Sequence, residues 1–198
     1  MSPSTRASLA TLIVGLWLGL SVAMWVVATT NFRTVDELLE PGYRAEFSER
    51  LAPRTAAEER PLLRFLASEL NRRFFLWFGV AELLLAAALL AALWRQRRAG
   101  GSLRRAWSLA LATAALTAVL ALGLGPAIGK LGPPLDFVPR PIPAEMPAEQ
   151  AAYTRFMRLH HAFTALDLVR VLLLAGIAVA VLRRPPAAEE VDTTAAAA

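Results

Sequence analysis

The sequence predicts an all-α integral membrane four-helix bundle with both termini cytoplasmic, and three observations carry that expectation. The chain of 198 residues is 56% hydrophobic with a positive mean hydropathy, too apolar for an ordinary soluble domain. Four apolar segments each reach the roughly 20 residues, at about 1.5 Å per residue, that cross about 30 Å of hydrocarbon. Arginines crowd the ends of these segments instead of forming a nucleic-acid-like patch, so the net charge of +5 reads as a topology signal and not as a call for nucleic acid.

The first span, about residues 7–30, lies within Ala7 to Phe32, which holds no charged residue. Arg6 ahead of it and the small residues Ser21, Val22 and Ala23 admit a cleaved signal peptide, but the apolar run exceeds the 7–15 residues of a signal core and favours a retained span. NFRTVDELLE can continue this helix for two turns until Pro41-Gly42 stops it. Pro61 suits a first helical position and is expected to restart a helix running through PLLRFLASELNRRFF, with one apolar face, into the second span at 73–94. From Phe74 to Trp94 only Glu82 is charged. The third, 106–128, is uncharged, and the fourth, 160–182, carries His160, His161, Asp167 and Arg170. Pro147 opens a helix that projects about three turns before the fourth span begins.

The loop WRQRRAGGSLRRAW between the second and third spans has five arginines and no acid. By the positive-inside rule it is cytoplasmic, in agreement with Arg6 before the first span and Arg183 and Arg184 after the fourth. The connections 33–72 and 130–158 are then the outer loops, the second of them proline-studded and expected to cover the outer face in extended form. Trp25 and Trp77 fall near the outer boundary and Trp94 and Trp107 near the inner one, while Trp17 is left mid-span. Residues 1–184 form a single transmembrane domain on this reading, and 185–198 a disordered cytoplasmic tail. The expected location is the cell inner membrane, with the lipid bilayer as the principal partner.

Charge inside a span costs roughly 2.5–3.5 kcal/mol per group, so Glu82, Asp167 and Arg170 need partners or a use. Asp167 precedes Arg170 by three residues, the spacing of an intrahelical pair, and Glu82 lies at a similar depth on another helix. A Glu82–Arg170–Asp167 cluster is therefore expected, with Asn71 and His160 above it on the same helical stripes to complete an outward polar pocket. The plainest use of such a cluster is interhelical glue. The sharper one is a binding site for a small ligand or ion, with Arg170 receiving an anion or the two acids relaying protons or cations.

The two histidines raise an alternative of a different class: a membrane redox protein holding haem or copper through His160 or His161, with Met157 as a soft ligand. Adjacent histidines point about 100° apart on a helix, so haem held from two helices needs a dimer. Gly15 and Gly19 fit the small-xxx-small pattern of helix association and offer a face for a homo-oligomer. The absence of cysteine excludes disulfides and thiolate chemistry, and no serine–histidine–acid set, phosphate loop or carboxylate-dense metal site assembles from the rest. A non-enzymatic role follows as the expectation.

The segments GLWLGLSVAMWVVATTNFRT, LNRRFFLWFG and FMRLHHAFTALDLV, in that order over most of residues 7–182, resemble the transmembrane protein 205-like family of four-helix membrane proteins, a domain of unknown function. Similar units occur among copper-resistance D-type membrane proteins and the haem-binding protoporphyrinogen oxidase type. The resemblance implies four spans and no established reaction; for the haem and copper relatives, only His160 or His161 matches the histidine they would use.

Overall fold

The computed structural model describes residues 3–40, 55–98 and 103–183. The expected Pro41-Gly42 helix stop and the tail 185–198 lie outside the described residues. Helix α1 spans Pro3–Leu38, so the two-turn extension past the first span is present, and Leu39 and Glu40 leave it through turn bonds to the Asp36 and Glu37 carbonyls.

Helix α2 spans Ala56–Arg98 and starts five residues before the expected Pro61. Thr55 explains the earlier start. Its backbone N–H and hydroxyl both donate to the Glu58 carboxylate, at 2.8 and 2.9 Å, while its carbonyl accepts from the Glu58 and Glu59 amides. That is the glutamate half of a Thr-x-x-Glu capping box, satisfying the Thr55 N–H at the start of the helix. Pro61 then falls in the second turn, where it forgoes the one bond its missing N–H would have made to Ala57.

The third span is not a uniform α-helix. Helix α3 begins as Arg104–Ala118, widens into a π-helical stretch at Val119–Leu124, and returns to α geometry over Gly125–Leu131. Pro126 supplies the reason: it has no N–H for the Leu122 carbonyl, and its ring crowds that carbonyl in α geometry. Gly125 donates instead to the Leu120 carbonyl five residues back. A Cβ at Gly125 would lie 3.0 Å from that oxygen, so a side chain there would have to push the carbonyl aside. The chain then makes a 3₁₀ turn, Pro133–Leu135, and reaches helix α4, Pro147–Leu182, with Pro147 at its first position as expected.

Each helix packs on its neighbours in sequence, and α4 closes the ring onto α1, leaving α2 and α4 facing one another across a diagonal. Leucine, alanine and other apolar side chains fill one half of the bundle. Ala10, Val14, Leu89, Leu93, Ala106, Ala110, Leu174 and Ile177 are its buried members. This half is the end at which the arginines of α2 and α3 lie. Outward-facing positions are just as apolar: Leu12, Leu84, Leu122 and Leu172 are each more than 60% exposed on the outside of the bundle. A water-soluble monomer does not leave an apolar surface of that extent uncovered. Among the described residues, four helices are long and apolar enough to span a bilayer, the pattern expected of a multi-pass membrane protein.

Candidate functional site

Glu82, Asp167 and Arg170 meet in the middle of the bundle, and each is at most 3% exposed. Arg170 reaches across the diagonal from α4. Its Nη1 is ion-paired with Glu82 Oε2 on α2, and its Nη2 with Asp167 Oδ1 one turn earlier on its own helix. The remaining oxygens are held from α1. Trp17 Nε1 donates to Glu82 Oε1 at 3.0 Å, and Trp25 Nε1 donates to Asp167 Oδ2 at 2.7 Å. All four carboxylate oxygens thus have a partner. The guanidinium also lies over the Phe78 ring, 5.6 Å from its centroid, which adds a cation–π contact from the face of α2 that carries Glu82.

The tryptophans are the residues sequence reasoning missed. By position in the sequence Trp25 falls at the outer lipid boundary and Trp17 in mid-span, and neither position points to the cluster. Both stand on the cluster because positions 17, 21 and 25 repeat every four residues and share a face of α1. Ser21, between them and buried, spends its hydroxyl on the Trp17 carbonyl at 3.0 Å. An indole N–H buried in an apolar span needs an acceptor, and that rule was the available signal. On α3, Thr113 and Thr117 are buried at the opposite side and return their hydroxyls to their own helix, onto the Leu109 and Thr113 carbonyls. Helix α3 therefore lends the cluster no charge.

Asn71 is buried but belongs to a separate layer. It lies eleven residues before Glu82 on α2, roughly 16 Å along the axis. There Asn31 Nδ2 donates to Asn71 Oδ1 at 2.6 Å, tying α1 to α2. Between the two layers, Phe75 packs edge to face on Phe163, with ring centroids 5.9 Å apart. The expected outward polar pocket is thus two polar layers with an aromatic contact between their heights.

His160 does not join the charged cluster. It sits two turns, about 10 Å, before Asp167, its side chain is exposed, and its ring stacks on Phe156 one turn back. A shared helical stripe does not bring it to the cluster: the ring lies back along α4 against Phe156 and stays exposed. His161 is exposed too, with its ring centroid 6.3 Å from that of His160 and the planes tilted by 55°. Among the described residues, no three of histidine, aspartate and glutamate converge as a metal site would require.

Beyond the membrane-depth cluster, the loop end is laced with ordinary ion pairs. Arg72 donates to Glu69 at 2.6 Å and to Asp136 at 2.8 Å, drawing the turn after α3 onto α2, and Arg60 pairs with Asp36 at 2.8 Å. Phe137 stacks on Phe65 at 5.2 Å beside the first of these.

A scan against protein-family models and searches of curated proteins and of solved structures found no match to this chain.

Proposed function

We propose that this multi-pass protein is non-enzymatic and that its buried triad binds one unit of positive charge, a proton or a small monovalent cation. The observation that carries the reading is the charge count of Glu82, Arg170 and Asp167, all buried at membrane depth. Two carboxylates share one guanidinium. With all three ionised the site holds one negative charge in excess, and an uncompensated charge in a low-dielectric interior costs several kcal/mol. A proton or a cation removes that excess. An anionic ligand is the poorer fit, because both terminal nitrogens of Arg170 already face carboxylates.

The site belongs to an inner-membrane protein with both termini cytoplasmic and the Asn31–Asn71 layer outward, an orientation supported by the acid-free arginine belt between α2 and α3. Exchange then occurs past the Phe75–Phe163 contact. The likeness to transmembrane protein 205-like proteins belongs to this proposal as well, as does association of two copies through the Gly15 and Gly19 face, where an added Cβ would meet no atom of the chain within 4 Å.

Infrared difference spectra of the reconstituted protein test the reading, taken between acidic and neutral buffers and with or without sodium or potassium. The wild type is expected to show a protonated-carboxyl band or a cation-dependent carboxylate band. Glu82→Gln or Asp167→Asn should abolish it. Spectra indifferent to both pH and cation would reduce the triad to a packing lock.

A further inference from the structure

At the arginine end, an open groove of about 700 Å³ runs between α1 and α2 on the outside of the bundle. Its size falls within the about 300–1,000 Å³ common for sites of small molecules. Leu9 and Ile13 form one wall, and Ala88, Ala91 and Ala92 the other. The groove has room because the side chains that α2 presents to it, at 88, 91 and 92, are all alanine. Further along that stripe stand Arg95 and Arg98, which complete the lining. The groove is therefore graded: apolar toward the bilayer centre and cationic at its mouth.

Ala88 to Arg98 covers ten residues, about 15 Å along the helix, which equals one leaflet of a roughly 30 Å hydrocarbon core. The two arginines share a face at i, i+3, are exposed, and have no carboxylate of the described residues within salt-bridge reach. None is near in sequence either, since no acid occurs between Glu82 and Asp136. At the same level of the bundle Arg98 leans over Trp94 at 5.0 Å, and on the side toward α3 Arg97 leans over Trp107 at 5.9 Å, so this end has the indole and guanidinium pairing of a membrane interface. A ligand matching the groove carries an anionic group joined to a hydrocarbon chain about one leaflet long.

We infer that the α1–α2 groove is a binding site for one anionic phospholipid, an acyl chain lying on Ala88, Ala91 and Ala92 and the phosphate bound between Arg95 and Arg98. The arginines give preference for charge and the alanines give room for the chain.

Native mass spectrometry of the full chain in detergent tests this, with phosphatidylglycerol and phosphatidylcholine of equal acyl chains as probes. The wild type should retain a single phosphatidylglycerol in preference to phosphatidylcholine. Near the surface each arginine contributes on the order of a few-fold in affinity for anionic lipid, so Arg95→Gln with Arg98→Gln should cut retention roughly tenfold. Arg104→Gln with Arg105→Gln removes the same charge from the same end without touching the groove, and should leave retention near the wild-type level. Ala91→Phe, at an exposed position that does not support the core, should lower retention with both groove arginines intact. Equal retention of the two lipids, equal loss in the two arginine pairs, or a second copy of the chain held in place of lipid would each overturn the assignment.

Discussion

Arg170 and Leu174 are one turn apart on the same face of α4, both wholly buried, yet they hold the bundle by different physics. Leu174 stands in the dry half, among Leu89, Leu93, Ile177 and Val181. Lipid tails are as apolar as these side chains, so that half gains shape-fitting and dispersion from packing but little of the solvent-driven stabilisation a soluble core enjoys. Arg170 stands in a half where three helices are tied by named polar atoms: α4 to α2 through Glu82, and α1 to both through Trp17 and Trp25. Such contacts are directional, and one missing partner leaves another stranded. A membrane bundle of this kind is packed at one end and addressed at the other.

The sharpest way to break the comparison is Arg170→Leu. Leucine suits the lipid interior, but the change strands Glu82 and Asp167 as two unpaired carboxylates, and removal of one partner from a buried ionic pair costs about 3–5 kcal/mol. Reversible unfolding in mixed micelles should register that loss. Adding Glu82→Gln and Asp167→Asn to the same chain should restore most of it, since amides still accept the Trp17 and Trp25 indole bonds without charge. If the triple variant stays as unstable as Arg170→Leu alone, the loss is one of packing, and the two halves differ less than their chemistry suggests.

Leu174→Ala should cost less, about 2 kcal/mol, at the low end of the range for buried leucine truncation. The cavity term remains, but the transfer term that dominates in water is nearly absent where the surroundings are lipid. No second substitution one turn away should rescue it as the amides rescue Arg170→Leu. A loss in the same micelle assay as large as that of Arg170→Leu would show the dry half to be the stronger of the two.

The four spans and the Glu82–Arg170–Asp167 meeting were legible because each rests on a local rule: apolar length, the i, i+3 spacing and the cost of charge in lipid. Three features were not. The cap at Thr55 stands six residues before Pro61, and a proline at a first helical position is the more conspicuous start signal of the two. The π-helical stretch at Val119–Leu124 depends on how a wider turn accommodates Pro126 within an otherwise unbroken apolar run, which periodicity does not register. The roles of Trp17 and Trp25 required knowing which face of α1 meets the diagonal, a tertiary fact; the four-residue spacing through Ser21 hinted at the face and not at the partner.

His160 offers the smallest effect and a test of where the addressed half ends. Its stripe on α4 includes Asp167, so by sequence position it shares the cluster's environment, whereas its exposure and its stacking on Phe156 place it outside. Stacked aromatic pairs are worth about 0.5–1.5 kcal/mol when buried, and an exposed pair lies at or below the bottom of that range. His160→Ala is therefore expected to shift micelle stability by no more than about 0.5 kcal/mol. The infrared signature of the triad should be unchanged, because the two turns between His160 and Asp167 carry no hydrogen bond from imidazole to carboxylate: the Thr164 hydroxyl, midway, returns to the His160 carbonyl at 3.0 Å. A changed carboxyl band in His160→Ala would extend the polar half by those two turns and make the histidine the entry to the site.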